Sequence, residues 1–265
     1  MRTLQRGPVD ATPGVIWKQL LAFFFPLWLG TLFQQLYNTV DSVVVGWFVG
    51  TTALAAVGCT GTVVSLTVGI FTGISSGAVV VIAQQYGARR PERVYQGVHT
   101  AMLLGVLLGA VFMVAGYLTA PWILRVMGTT ADSLAEAETY LRVYFLGMIP
   151  NVVYNMGTAV LRAIGDSKRP LYFLIAASLC NIVLDLALVL GFGMGVLGVA
   201  IATVISQILS AVLVVACLMR AHGQPYQLFP RQVRLEGQSL KAILQLGVPA
   251  ALQSVMYSTS NLVIQ

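Results

Sequence analysis

Residues 26–41 read PLWLGTLFQQLYNTVD, and the interpretation of the whole chain starts from them. They lie inside an apolar stretch at residues 16–49, which is long enough for a helix that crosses a bilayer. This stretch nevertheless contains Pro26 and, in its far half, Asp41. An isolated carboxylate in the bilayer core costs roughly 3 kcal/mol even on insertion scales, so an intramembrane acid usually faces a cavity and binds or relays a cation.

The composition excludes a soluble globular protein. Hydrophobic residues make up 57% of the chain and charged residues 9%, whereas soluble domains average about 25% charged residues. The net charge of +6 is explained by basic loops on the cytoplasmic side of a membrane, so we expect no nucleic-acid partner. Neither a phosphate-binding loop nor a zinc or Ser–His–Asp motif occurs in the sequence. We therefore predict a protein that is not an enzyme and needs no cofactor.

Alternating apolar and polar stretches predict an all-α polytopic membrane protein. Its parts would be a cytoplasmic lead-in at 1–15, a six-helix transmembrane bundle at 16–219, a cytoplasmic loop at 220–237 and one further helix at 238–265. The six spans are expected at about 16–48, 53–85, 94–126, 137–162, 171–191 and 197–219, with the fourth span broken by Pro150.

The basic residues predict the orientation of the bundle. Alternate loops place 13 of the 15 Lys and Arg on the side of the N-terminus, and the exceptions are Arg125 and Arg142. Because cytoplasmic loops are enriched in Lys and Arg, we expect a multi-pass protein of the cell (plasma or inner) membrane with a cytoplasmic N-terminus.

The seventh apolar stretch resembles the first. At an offset of 223 residues the two stretches share a frame of Lys18 with Lys241, Pro26 with Pro249, and Asn38 with Asn261. Three apolar pairs coincide as well: Leu21 with Leu244, Leu29 with Leu252, and Val40 with Val263. A parallel repeat of this kind is typical of transporters built from two like halves. We therefore expect a fragment, with one complete lobe, the first helix of a second lobe, and the rest of the C-terminal lobe missing. The competing interpretation is a half-size protein that dimerises.

Several polar residues recur at helical spacing inside the apolar spans. Asn181 and Asp185 are four residues apart and share a helix face, as do Tyr37 and Asp41. Thr203 is expected at a depth comparable to that of Asp185. An oxygen-rich pocket of such groups would suit a proton or a hard cation such as Na⁺. The alternative for each residue is a structural hydrogen bond between helices.

Three further residues have supporting roles in this hypothesis. Asn38 lies beside Tyr37 and Asp41 and would contribute a carboxamide to the pocket. Pro26 removes a helical hydrogen bond and can kink the span that carries Asp41, which would link cation binding to helix shape. Gln34 is a candidate for the substrate path.

Five stretches carry a family resemblance. They are FPLWLGTLFQQLYNTVDSVVVGWFVG at 25–50, GISSGAVVVIAQQYGARR at 73–90, LRAIGDSKRPLY at 161–172, NIVLDLALVLGFGMGVLGVAIATVISQ at 181–207, and the restart at 249–261. In this order they resemble the multidrug and toxic compound extrusion (MATE) family. The resemblance implies a twelve-helix, two-lobed secondary antiporter that exports cationic and amphipathic compounds by alternating access, driven by H⁺ or Na⁺. Its partners would be small-molecule substrates and membrane lipids.

The resemblance also implies which residues form the cation site. The family's site residues correspond here to Asp41, Asn181, Asp185 and Thr203, and their convergence is implied by the resemblance alone. Tyr37 and Pro26 match the nearby tyrosine and the proline of the bent helix. Two rival functions are a flippase for lipid-linked sugars and a non-transporting membrane subunit. The membrane acids, and the lack of Lys or Arg at the bilayer midplane, disfavour the flippase.

Overall fold

The computed structural model describes the backbone of residues 16–264 and most side chains in that range. Every regular element in this range is helical. The elements are α1 (Ile16–Phe48), α2 (Thr51–Gly87), α3 (Pro91–Val126), α4 (Ala131–Leu146), α5 (Met148–Ala163), α6 (Lys168–Leu186), a π-helical turn (Ala187–Gly191), α7 (Gly195–Met219), a 3₁₀ turn (Pro230–Gln232) and α8 (Gly237–Ile264).

The all-α membrane architecture predicted from composition is confirmed. Within the part of the chain that the structure describes, four helices are long and apolar enough to cross a membrane: Ala53–Gly87, Pro91–Val126, Lys168–Gly191 and Gly195–Met219. Large apolar side chains cover the outside of the bundle, and Trp47 and Phe192 are 80% and 76% exposed. Such a surface is stable against lipid and costly against water.

The fourth span consists of two helices, α4 and α5, as the break predicted at Pro150 requires. The interruption itself falls at Gly147, and Pro150 lies in the first turn of α5. The reason is that Pro150 has no N–H to donate to the carbonyl of Leu146, so the helical pattern fails one turn before the proline. The Asn151 N–H donates to the Gly147 carbonyl (3.1 Å), so helical hydrogen bonding resumes directly after the interruption.

The helices pack around a buried apolar core and leave a cavity beside it. α1 packs against α6, α6 against α7, and α5 against α2, α3 and α7. α4 also packs against α7 and α2, so both halves of the broken span contact the same two helices. This arrangement brings the polar residues of α1, α6 and α7 towards one another.

The most extensive helix pair is α2 with α8, the helix that follows the six-span bundle. A Cβ atom on Gly73 would overlap the backbone of Ala251, and one on Gly77 would overlap the carbonyl of Ile243. From the other side, a Cβ on Gly247 would lie 2.9 Å from the Cα of Ile74. The two backbones are in direct contact, which only small residues permit.

Three parts of the sequence interpretation lie outside the described residues. These are the lead-in at 1–15, the side chain of Tyr37, and the side chains of Lys18 and Asn261 from the proposed repeat. The division of the chain into domains therefore stays a prediction.

Candidate functional site

Asp41 and Asp185 meet inside the bundle through Asn181. With its nitrogen facing the carboxylates, the Asn181 amide donates to Asp41 Oδ1 at 3.0 Å and to Asp185 Oδ2 at 3.1 Å. The amide oxygen accepts from the backbone N–H of Thr203 at 3.3 Å. This is the orientation in which both ends of the amide have partners, which is how an amide is assigned. One side chain of α6 therefore connects α1 and α7.

Thr203 completes the group from α7. Its hydroxyl donates to the carbonyl of Val199, one turn earlier, at 3.0 Å. The Tyr140 hydroxyl is hydrogen-bonded to the Thr203 side chain, and Tyr140 also lies within electrostatic range of both acids. Because the Thr203 proton is used on Val199, the Tyr140 hydroxyl is the donor in this pair. All four residues predicted from the sequence are thus close together, and Tyr140 joins them from α4.

The two acids are deeply buried. Asp185 and Asn181 are 0% exposed and Asp41 is 8% exposed. The carboxyl groups of Asp41 and Asp185 are within hydrogen-bond distance of each other. No N–H or O–H group among the described residues reaches Asp185 Oδ1. Two carboxylates this close and this buried repel each other strongly, and the arrangement is stable when a positive charge lies between them.

A cavity of about 500 Å³ opens beside the acid pair. Its wall combines apolar side chains with hydroxyl and amide groups from α1, α2 and α4 to α7. The polar and charged residues that line it are Thr31, Gln34, Asn38, Asp41, Ser65, Thr72, Tyr140, Tyr144, Asn151, Tyr154, Asn155, Thr158, Arg162, Ser167, Ser178, Thr203, Ser206, Gln207 and Ser210.

The supporting residues predicted on α1 lie along this cavity. Gln34 and Asn38 are exposed and line it, and Pro26 is buried at its wall about two turns before Gln34. The prediction for the side chain of Tyr37 lies outside the described residues. The first helix therefore presents to the cavity the proline and amides singled out from its sequence, on the same side as Asp41.

Sequence reasoning missed the contribution of the broken span. Tyr144 is hydrogen-bonded to the side chains of Asn151 and Gln207, and the Asn155 amide donates to Asn151 Oδ1 at 2.9 Å. Tyr140 and Tyr144 are four residues apart, as are Asn151 and Asn155. A polar stripe at helical spacing within an apolar span was the available signal.

The charged residues on the described cavity wall are Asp41 and Arg162. Arg162 lies in the last turn of α5, whereas Asp41 lies in the opposite half of the bundle, towards the end of α1. The described cavity wall therefore carries Asp41 at one end and Arg162 near the other. Among the described residues, no cluster of three or more His, Cys, Asp or Glu side chains has the arrangement of a metal site.

Comparison with known proteins assigns the chain to a family. The sequence profile of the MatE family matches residues 26–187, which extend from Pro26 in α1 through α2, α3 and both halves of the broken span to the end of α6. The chain belongs to the MatE family. The resemblance to multidrug and toxic compound extrusion proteins noted from the motifs is thereby confirmed.

A curated MatE relative is "Probable multidrug resistance protein YoeA" of Bacillus subtilis. It is 34% identical over 256 residues, which are 94% of this chain and 55% of the relative. The chain thus spans about half the length of the curated relatives it matches.

Solved MatE-type structures superpose closely on the chain. A MOP superfamily transporter from Pyrococcus furiosus, described as having a binding pocket of reverse polarity that suggests a different function, gives a TM-score of 0.86 at 27% identity. That match covers 96% of this chain and 56% of the other. A MATE protein in its bent and straight conformations gives TM-scores of 0.83 and 0.81 at 28% and 29% identity, covering 89% of this chain and 52% of theirs.

Proposed function

We propose that this chain forms the cation-coupled lobe of a secondary antiporter that exports cationic and amphipathic compounds by alternating access. The observation that carries the proposal is the buried carboxyl pair of Asp41 and Asp185, which Asn181 joins. Asp41 of this pair lines the cavity of about 500 Å³. In a purely structural pair, the repulsion between two buried carboxylates would destabilise the fold and serve no function. A pair that binds and releases a coupling cation uses that cost, because the cation changes the stability of the conformation that holds it.

The geometry favours a proton over Na⁺ as the coupling ion. A hard cation is bound by several oxygen ligands. Here the Asn181 oxygen is engaged by the Thr203 N–H, and the Thr203 hydroxyl accepts from Tyr140. Each of these two oxygens keeps one lone pair, so Na⁺ would share both with an existing hydrogen bond. A single proton shared between the two carboxyl groups satisfies the pair without any further ligand.

Pro26 provides the link from the coupling ion to the shape of the cavity. It interrupts the backbone hydrogen bonds of α1 and lines the cavity on the helix that carries Asp41. A helix without the hydrogen bond to the carbonyl of residue 22 bends at low cost. Proton binding would remove charge from the acid pair, allow α1 to bend, and reshape the cavity so that a bound compound leaves. That related structures are described as bent and straight supports this part of the proposal.

The cavity fits small amphipathic substrates. Its volume of about 500 Å³ lies within the range of roughly 300–1,000 Å³ typical of ligand pockets. Aromatic rings and amide groups on the wall, with an acid at one end, favour an apolar body that carries a positive charge. Because the proton and the substrate cation compete for the same negative charge, binding of one promotes release of the other.

The proposal is tested with the complete protein in everted membrane vesicles. Asp41→Asn and Asp185→Asn remove the charge while keeping the size of each side chain. We expect both variants to lose efflux of a fluorescent organic cation and the associated proton movement, read with a pH-sensitive dye in Na⁺-free buffer. Undiminished efflux in either variant, or efflux that needs Na⁺ and ignores the pH gradient, would contradict the proposal.

Glu138→Gln is the matched control. It removes an acid of α4 that pairs with Arg142 at 2.8 Å and does not line the cavity. Transport should therefore be retained.

The same vesicles address the flippase alternative, which needs a cationic cavity for a pyrophosphate. Arg162 is the single basic residue on the described cavity wall. An exporter of organic cations does not need this positive charge, so Arg162→Gln should leave efflux of organic cations largely intact.

A further inference from the structure

The segment that joins α7 to α8 (residues 220–236, the connecting loop) is fixed to the first turns of α3. Four side chains of α3 contact it or the start of α8: His99 bonds the backbone of Phe229, Thr100 that of Glu236, Tyr95 the side chain of Gln232, and Arg93 that of Gln238. Leu228 and Tyr226 of the loop are also buried. The loop is therefore a docked element with defined partners.

His99 is the central residue of this contact and is 2% exposed. Its Nδ1 lies 2.9 Å from the carbonyl oxygen of Tyr95, and its Nε2 accepts the backbone N–H of Phe229 at 3.1 Å. A carbonyl oxygen accepts only, so Nδ1 carries the proton, and Nε2 must be unprotonated to accept from Phe229. The docked loop thus specifies the neutral ring in one tautomer. A second proton on Nε2 would place two N–H groups against each other.

The position of the loop determines how α8 begins. The Glu236 carboxylate accepts from the N–H groups of Gln238 (3.2 Å) and Ser239 (2.6 Å), which caps the first turn of α8. The Glu236 N–H itself donates to the Thr100 hydroxyl at 3.1 Å. Release of the loop from α3 would remove these contacts and free the first turn of α8. The remainder of α8 would still be held by its direct backbone contact with α2.

We propose that His99 is a pH-sensitive latch, which holds the connecting loop and the start of α8 on α3 while its ring is neutral and releases them when the ring gains a proton. This regulatory role is separate from the coupling site, because it involves α3 and the loop and uses neither Asp41 nor Asp185. Its physical basis is the loss of one buried backbone hydrogen bond and the repulsion of the Phe229 N–H by a protonated Nε2.

The other charged and titratable groups of these elements do not reproduce this behaviour. In the first turns of α3 they are Glu92, Arg93 and Tyr95, and Arg93 lies 3.8 Å from Glu236. On the loop they are His222, Tyr226, Arg220, Arg231, Arg234 and Glu236, and Lys241 follows on α8. Hydrogen bonds from the Ser239 hydroxyl and N–H hold the pKa of Glu236 below its ordinary value, so this carboxylate keeps its charge at mildly acidic pH. His222 is the one other histidine in the chain, and it contacts Gln227 rather than α3.

The test is hydrogen exchange of the peptide that spans residues 224–240 in the complete protein purified in detergent. Rates are measured at about pH 7.5 and pH 5.5, the interval in which histidines change charge, and are corrected for the intrinsic effect of pH on exchange. One titrating group changes an opening equilibrium by at most about tenfold per pH unit. For a histidine that titrates near pH 6.5 when the loop is released, we expect protection of the Phe229 amide region to fall by up to about tenfold between the two pH values.

Two variants separate the latch from its surroundings. His99→Gln keeps an acceptor near Phe229 and cannot gain a proton. Protection of residues 224–240 in this variant should therefore be the same at both pH values, whatever its absolute level. His222→Gln should respond to pH as the wild type does. The proposal is overturned if wild-type protection is the same at both pH values, or if H99Q loses as much protection as the wild type on acidification.

Discussion

Asn181 donates through one amide nitrogen to Asp41 Oδ1 and to Asp185 Oδ2, at 3.0 and 3.1 Å, and thereby ties an acid of α1 to an acid of its own helix. The bond to Asp185 is local, since the two residues are one turn apart on α6. The bond to Asp41 is a tertiary contact between helices far apart in sequence. The amide therefore holds α1 against α6 at the depth of the carboxyl pair, and its loss should be felt in both stability and transport.

Asn181→Leu tests this relationship, because leucine has a similar size and no donor. It leaves two buried carboxyl oxygens without their amide partner, and each such orphaned group costs about 1–3 kcal/mol. We expect a lower unfolding temperature of the detergent-purified protein and loss of organic-cation efflux. Asn155→Leu is the control: its described partners are the oxygens of Asn151, so the fall in unfolding temperature should be smaller. Equal effects of the two substitutions would argue against a special role for Asn181.

The contact between α2 and α8 makes a prediction that opposes helix propensity. A Cβ on Gly77 meets the backbone of α8, whereas nothing lies within 4 Å of a Cβ on Gly61 of the same helix. Gly61→Ala should stabilise the protein by up to about 1 kcal/mol, because alanine is the better helix former. Gly77→Ala should destabilise it by about 1–3 kcal/mol, because rigid backbones must separate. Thermal unfolding of the two variants side by side measures this, and the same sign for both would refute the packing argument.

Pro26 predicts a separation of stability from transport. Pro26→Ala supplies an N–H for the carbonyl of residue 22 and removes the interruption of α1, so we expect a higher unfolding temperature. If bending of α1 accompanies proton binding, the same variant should transport more slowly. Pro121→Ala, at a proline in the interior of α3, serves as the comparison because Pro121 does not line the cavity. Full transport by P26A with a raised unfolding temperature would remove Pro26 from the mechanism.

The Glu236 cap predicts an acid-sensitive start of α8. Hydrogen bonds from the Ser239 side chain and backbone, followed by that from Gln238 and the charge of Arg93, lower the pKa of Glu236 from its ordinary value of 4.5. A lowered pKa in the folded state means that the cap contributes fully above about pH 4.5 and is lost as pH falls through the folded value. Exchange of the amides at 238–240 should accelerate in that acidic interval, below the range in which histidines titrate.

Glu236→Gln checks the assignment of that acidic response. Glutamine keeps an acceptor for the N–H groups and has no carboxyl group to protonate, so the faster exchange of the amides at 238–240 below pH 4.5 should disappear. If E236Q still shows this faster exchange, another acid controls the first turn of α8. This interval is also separate from the range assigned to His99, so the two effects are distinguishable in one set of exchange measurements.

The helices and their membrane character were accessible from the sequence because they depend on local properties. Span length, apolar content and the positions of glycine and proline act within one helix, and the expected span at 197–219 corresponds to α7 at Gly195–Met219. The break near Pro150 was also local, although its position at Gly147 follows from which hydrogen bond the proline removes. The π-helical turn at Ala187–Gly191 was missed, since nothing in the apolar run LALVLG marks it.

Spacing alone could place Asn181 and Asp185 on one face, and Tyr37 and Asp41 on another, but could not bring the two faces together. That convergence was expected from family resemblance, and Tyr140 entered the site only once α4 was seen beside α7. The contact of His99 with the connecting loop could not be predicted from the sequence either. Its partners are the carbonyl of Tyr95, one turn earlier, and the backbone N–H of Phe229, 130 residues away. The sequence by itself determined which segments enter the membrane and which acids enter with them, because both depend on transfer between water and lipid. Only the tertiary structure decided which polar groups share one space, because hydrogen bonds between helices depend on packing that no single segment encodes.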